Sequence, residues 1–109
     1  MKVSAIKSKT RQVEITYQGE TVKVEYLVNA LTPALQEEVQ ALEGIDSIVK
    51  QLHVLVVHWD VTDDAGTEYA RTDENLRLLP TDFLVEILVG IVNDLKTWSE
   101  DQKKVLSHT

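Results

Sequence analysis

The chain has 109 residues, of which 43% are hydrophobic and 27% charged, and this length and composition fit one globular domain. It has no cysteine, which excludes disulfides, thiolate nucleophiles and cysteine-ligated zinc. Its net charge of −7 argues against nucleic acid as a partner, because residues 29–109 carry six Lys or Arg against fifteen Asp or Glu. Without a signal-peptide pattern or an apolar run of about 18 residues, it is predicted to be cytosolic and soluble, with no membrane partner.

Apolar and polar residues alternate from Gln12 to Val28, on both sides of a turn at Gln18-Gly19-Glu20. This pattern predicts a β-hairpin with one apolar face, and Gly19 supplies the positive φ of a tight turn. An isolated hairpin is marginal in water, so the face must pack on the helices, on another copy, or on a strand from residues 2–8. Residues 2–8 are a weak strand candidate or, equally, a mobile arm.

Two helices are predicted to follow the hairpin. Thr32 caps the first, which begins at Pro33, runs to about Leu42 and ends at Gly44. The β-branched run at 54–59 could form a buried strand, but apolar residues recur at helical spacing from Ile45 onwards. We therefore assign the second helix to residues 46–59, with Trp59 as a core anchor at its end.

A polar connection from Asp60 to Ala70 holds the acidic turn that ends at Gly66. Thr72 is predicted to cap a short helix, which Pro80 ends. The connection thus redirects the chain between core helices. The residues with predicted structural roles are Trp59, Asp60, Gly66, Thr72, Pro80 and, in the last helix, Trp98.

The last helix begins at residue 81 or 82 and has the strongest apolar stripe, while residues 99–109 form its continuation or a second short helix. Val85, Val89 and Val92 widen the stripe beyond what one neighbouring helix needs, which predicts deep burial or a second contact surface. The predicted partner-binding residues are Leu84, Val85, Ile87, Leu88, Val89, Ile91 and Leu95. The fold class is α+β, mainly α: a β-hairpin arm over 1–28 and, over 29–109, about four helices packed as a small bundle.

A metal or acid–base site is the sharpest catalytic hypothesis, and it would use His58, Asp60, Asp63 and Asp64. The loop does not fit the calcium-loop pattern, and His53 and His58 lie five residues apart rather than four, as a helical zinc pair would require. The sequence also lacks a nucleophile elbow and a phosphate-binding glycine loop. We therefore expect no catalytic site, no metal and no cofactor, and interpret the acidic turn as structural.

Two stretches resemble the small tail assembly chaperones of long-tailed, siphovirus-type bacteriophages and prophages. VEITYQGETVKVEYLVNALTPALQEEV is similar to the family's N-terminal hairpin and Thr-Pro-capped helix. HWDVTDDAGTEYARTDENLRLLPTDFLVEIL is similar to its Trp-Asp, Asp-Asp-Gly and Leu-Pro signature and final helix. The motifs are degenerate, and the resemblance rests on their order and spacing over most of the chain.

The resemblance implies a non-enzymatic chaperone that binds the tape measure protein, keeps it soluble and promotes assembly of the tail tube. It implies self-association and, through a frameshifted longer form, recruitment of the tail tube protein. The expected location is the cytoplasm of the infected or lysogenic host, with absence from the mature virion. The alternative function is a structural tail or head-tail connector protein that stays in the virion and forms a ring.

Overall fold

A computed structural model describes the backbone of residues 1–107 and the side chains of residues 1–101. The described residues form an α+β fold with a three-stranded antiparallel sheet and five helices, which confirms the predicted class. No helix in this part of the chain is long and apolar enough to cross a membrane. In chain order the elements are α1 (Val3–Lys7), β1 (Thr10–Tyr17), β2 (Glu20–Leu27), α2 (Pro33–Gln40), α3 (Ile45–Leu55), β3 (Val56–Trp59), α4 (Asp73–Arg77) and α5 (Thr81–Ser107).

The predicted hairpin is confirmed as β1 and β2, which pair in register from Thr10 opposite Leu27 to Tyr17 opposite Glu20. Gln18 and Gly19 form a two-residue turn, and both have positive φ. Alternate residues of β1 and β2 point towards the helices, and Val24 and Tyr26 are completely buried among them. One face of the sheet therefore forms part of the core.

The helix assigned to residues 46–59 is wrong in its last turn. α3 ends at Leu55, and Val56–Trp59 forms β3, which pairs antiparallel with β2 and places Val24 opposite Trp59. The strand gives the outer edge of β2 a hydrogen-bonding partner, which a continued helix would not provide. Because Val56 and Trp59 are buried in the strand as well, apolar spacing alone did not distinguish the two structures.

Residues 2–8 do not form the candidate strand. Val3–Lys7 is instead a short helix whose side chains are all exposed. The weak alternation of apolar residues in its sequence therefore corresponds to no buried face. The side-chain amide of Asn29 donates a hydrogen bond to the carbonyl of Ile6, at 2.9 Å, and ties this helix to the end of the hairpin.

The predicted helix starts after Thr32, Thr72 and Pro80 are confirmed. Two predicted helix ends lie too far along the chain, because α4 ends at Arg77 rather than at Pro80, and α2 ends at Gln40, which leaves Gly44 to precede α3. The hydroxyl of Thr32 accepts a hydrogen bond from the Leu35 amide, and that of Thr72 accepts one from the Asn75 amide, both at 3.1 Å. α5 continues without a break through Ser107, so no second short helix forms up to that residue. The end of the predicted segment, residues 108–109, lies outside the described residues.

One hydrophobic core joins the sheet to the helices, and its centre lies between β2, α3 and α5. α5 crosses close to β1 at Gly90, the point where a side chain would not fit. A Cβ built on Gly90 would lie 2.6 Å from Cγ1 and 2.8 Å from Cδ1 of Ile15. Ile15 is itself buried, so glycine at position 90 sets the distance between the last helix and the sheet.

Replacing Gly90 with Ala tests this contact. We expect a loss of up to about 2 kcal/mol in the free energy of unfolding, because overpacking costs about 1–3 kcal/mol and helix propensity returns about 1 kcal/mol. Urea denaturation followed by circular dichroism measures the change. In an Ile15→Ala background the obstructing atoms are gone, so Gly90→Ala should be neutral or stabilising there. An equal loss in both backgrounds would contradict the role of Gly90.

Candidate protein-binding site on the last helix

α5 has an inner face that belongs to the core. Leu84, Ile87 and Ile91 are each 0% exposed, and Phe83 is also buried. These positions repeat at the helical spacing that the sequence analysis identified. Three of the predicted partner-binding residues, Leu84, Ile87 and Ile91, therefore hold the fold together and offer no surface to a partner.

The opposite side of α5 carries an exposed apolar strip. Val89 is 47% and Val92 44% exposed, and Val85, one turn before Val89, is partly exposed. Leu88 and Leu95 lie beside them and are partly buried against the core. We call these five residues the outer stripe. Val92 was not among the predicted partner-binding residues, although its spacing from Val85 and Val89 places it on the same side of the helix.

The first turn of α5 is held by contacts with the hairpin. The phenol of Tyr17 donates a hydrogen bond to Asp82 Oδ1 at 3.0 Å, and the Tyr17 ring packs edge-on against Phe83 with 5.0 Å between ring centroids. Phe83 also contacts Trp59, with a centroid distance of 6.1 Å. These aromatic contacts join the hairpin, β3 and α5 where the outer stripe begins.

A second set of polar contacts holds α5 near its middle. Arg11 Nε donates to Asp94 Oδ2 at 3.0 Å and Arg11 Nη2 donates to Oδ1 at 3.3 Å, while the Tyr26 hydroxyl donates to Oδ2 at 2.5 Å. The bond to Arg11 holds the pKa of the Asp94 carboxyl below its usual value, and burial raises the pKa of the Tyr26 phenol. One carboxylate thus joins both hairpin strands to α5.

The connection between β3 and α5 is held in place by Arg71, whose side chain is 17% exposed. Its guanidinium donates to the carbonyls of Val56 and Val57, and its Nη1 donates to Glu68 Oε2 at 3.0 Å. The bond from Arg71 lowers the pKa of Glu68. The Trp59 indole in turn donates to the Tyr69 carbonyl at 2.8 Å. Arg71 could not be singled out from the sequence, because two of its partners are carbonyls of residues that the apolar spacing assigned to a helix, and Glu68 depends on Arg71 in turn.

Two of the acidic side chains that suggested a metal or acid–base site, those of Asp60 and Asp63, accept hydrogen bonds from backbone amides. Asp60 Oδ1 accepts from the Lys23 amide at 2.8 Å, and Asp63 Oδ1 accepts from the amides of Ala65 and Thr67. Gly66 has φ 83° and completes the turn. His58 Nδ1 lies 3.4 Å from Glu68 Oε1 rather than beside these carboxylates. In the described residues, no group of three or more His, Asp or Glu side chains is placed to hold a metal ion.

Trp59 and Trp98 occupy different environments. Trp59 is 4% exposed and lies in the core, as expected of a structural anchor. Trp98 packs against the core from the far part of α5 and is partly exposed, with Lys9 Nζ 5.3 Å from the centre of its ring. The lysine lies just before β1, so this contact adds a further link between the hairpin and α5.

Comparison of the chain with protein families, curated proteins and solved structures gave no significant match. The outer stripe is therefore defined by geometry alone. It is an exposed apolar surface on a helix whose other side is fixed to the sheet by packing, an ion pair and hydrogen bonds. Such a surface fits binding to another apolar helix, and its side chains include no nucleophile, acid or base.

Replacing Asp94 with Asn tests the carboxylate that holds the middle of α5. We expect a loss of about 2 kcal/mol in the free energy of unfolding at pH 7, which is within the usual range for hydrogen bonds to a charged group. The folded pKa of Asp94 lies below its ordinary value of 3.8, so its contribution is complete above that value and is lost as the pH falls through the folded pKa.

Urea denaturation of the wild type and Asp94→Asn between pH 7 and pH 2 measures this dependence. The difference between the two proteins should be constant from neutral pH down to about 4 and should shrink below it. Asp101→Asn removes the same charge from an exposed position of α5 and is the matched control. A difference that persists undiminished at pH 2 would show that Asp94 acts through packing rather than through its charge.

Proposed function

We propose that this chain is a tail assembly chaperone that binds the tape measure protein of a long-tailed phage or prophage. The order and spacing of the hairpin, the Thr32-Pro33 helix start and the connection ending at Pro80 support the proposal by resemblance to that family. The chaperone keeps its long client soluble in the host cytoplasm and promotes assembly of the tail tube. It is not an enzyme, it is absent from the mature virion, and a frameshifted longer form would recruit the tail tube protein.

The observation that carries the proposal is the exposed outer stripe of α5. A client that forms long amphipathic helices exposes apolar stripes before assembly, and covering them requires a matching apolar surface. Val89 and Val92 present such a surface on a helix that the core already holds, so binding does not require the chaperone to rearrange. The net charge of −7 would keep the complex from aggregating.

We propose that α2 to α5 act with the sheet as one packed unit in which the helices form the small bundle and only the outer stripe meets the client. Of the residues predicted from sequence to bind a partner, Val85, Leu88, Val89 and Leu95 stay in the proposed site, and Val92 joins them. Leu84, Ile87 and Ile91 support the site from the core.

Co-expression with the tape measure protein tests the client interaction. Replacing Val89 or Val92 with Asp should weaken binding about ten-fold or more, because it removes apolar contact and places an unpaired charge in the interface. The measurements are the soluble fraction of the client and its co-purification with the chaperone.

Asn93→Asp is the matched control, because it adds the same charge to α5 at an exposed position that is already polar. The control should behave like the wild type. The proposed site is wrong if Val89→Asp and Val92→Asp fold normally and retain client solubility.

Mass spectrometry of purified phage particles separates the proposal from its alternative. A chaperone should be present in lysates and missing from particles, whereas a connector protein that forms a ring should be present in particles in a fixed ratio to other structural proteins. Detection in stoichiometric amount would replace the chaperone proposal with the connector function.

A further inference from the structure

The outer stripe has the spacing of a coiled-coil seam. Val85, Leu88, Val92 and Leu95 follow one another at intervals of three, four and three residues, and Ser99 continues the series. In the heptad notation valine occupies the a positions and leucine the d positions, the combination that favours two strands over three or four in parallel coiled coils. The four side chains lie on the side of α5 that the core leaves exposed or partly exposed.

The line of residues beside the seam has opposite charges at its two ends. It therefore matches a second copy of itself that runs in the opposite direction. Asp82, Val89 and Lys96 are spaced by seven residues and therefore form one line beside the seam of Val85, Leu88, Val92 and Leu95. Asp82 and Lys96 are both exposed, and Lys96 makes no ion pair with any residue whose side chain the structure describes. The line thus begins with a negative charge, ends with a positive one, and has an apolar residue midway between them.

We propose that two copies of this chain pair through their outer stripes, with the two α5 helices antiparallel and related by a two-fold axis next to Val89. In this arrangement Val85 faces Leu95 of the second copy, and Leu88 faces its Val92, so every layer of the seam joins one valine to one leucine. Asp82 faces Lys96 of the second copy on both sides of the axis, and the two Val89 side chains meet at the axis. The same surface on both copies forms the contact, as a two-fold interface requires.

The charges select the antiparallel arrangement over a parallel one. In a parallel pair, Val89 and Lys96 would face the g positions Leu84 and Ile91 of the other helix, and the g position that would face Asp82 falls at residue 77, before α5 begins. Leu84 and Ile91 are completely buried in the core, so neither Asp82 nor Lys96 would gain a charged partner. Only the antiparallel arrangement uses both charges.

The interface is small, which determines how it behaves. The seam from Val85 to Leu95 spans about 15 Å of helix, which is less than the three or four heptads of a stable coiled coil. The dimer therefore exchanges readily with monomer. The inference does not depend on the proposed client, although the second copy and an apolar client helix would compete for the same side of α5.

Exchange of the flanking charges tests the pairing and its direction by sedimentation equilibrium. Asp82→Lys and Lys96→Asp each place like charges opposite one another on both sides of the axis and should weaken self-association about ten-fold. Mixing the two variants restores two opposite-charge pairs per heterodimer, so the mixture should associate as well as the wild type. The unfolding midpoint of each variant shows whether loss of the Tyr17 contact to Asp82 has disturbed the fold.

Oxidation of Val89→Cys is an independent measurement that leaves the charges unchanged. The chain has no other cysteine, and two thiols at the two-fold axis should form a disulfide-linked dimer, whereas Asn93→Cys on the polar side should not. A wild-type chain that stays monomeric at high concentration overturns the inference. The inference is also overturned if the mixture of charge variants associates no better than each variant alone. Equal cross-linking at positions 89 and 93 would overturn it as well.

Discussion

The close packing of α5 on the inner face of the sheet is the constraint on which the rest of the structure depends. Gly90 allows the helix to approach Ile15, and Asp94 then reaches both Arg11 on β1 and Tyr26 on β2. A hairpin that would be marginal alone is thereby fixed to the helical part of the chain. Because these contacts all use one side of α5, they also decide which side stays exposed.

The exposed side of α5 follows from this packing rather than from apolar composition alone. The helix is apolar over more of its circumference than the sheet and α3 can cover, so Val89 and Val92 remain at the surface after the core is complete. The proposed client binding and the proposed antiparallel pairing both use this remainder. The connection from Asp60 to Pro80 has a geometric role, since Arg71 and Trp59 fix its course and the acidic turn bonds to its own backbone.

Much of the fold could be predicted from local signals. Alternation over residues 12–28 identified the hairpin, and the caps at Thr32 and Thr72 located two helix starts, because these features depend on neighbouring residues. β3 could not be predicted in the same way, since its formation depends on the free edge of β2, and burial of Val56 and Trp59 suits a helix and a strand equally. For the candidate site, periodicity identified the apolar side chains of α5 but could not separate Ile91, in the core, from Val92, at the surface. That separation depends on the position of the sheet.

Thiol labelling of two single-cysteine variants tests most directly the claim that α5 divides into a core face and a binding face. Ile91→Cys and Val92→Cys alter adjacent residues of a chain that has no cysteine of its own. In dilute folded protein, Val92→Cys should react rapidly with a thiol reagent and Ile91→Cys only slowly, and addition of the tape measure protein should slow the reaction at position 92. Equal labelling rates at the two positions, or a rate at position 92 that the client leaves unchanged, would contradict the account.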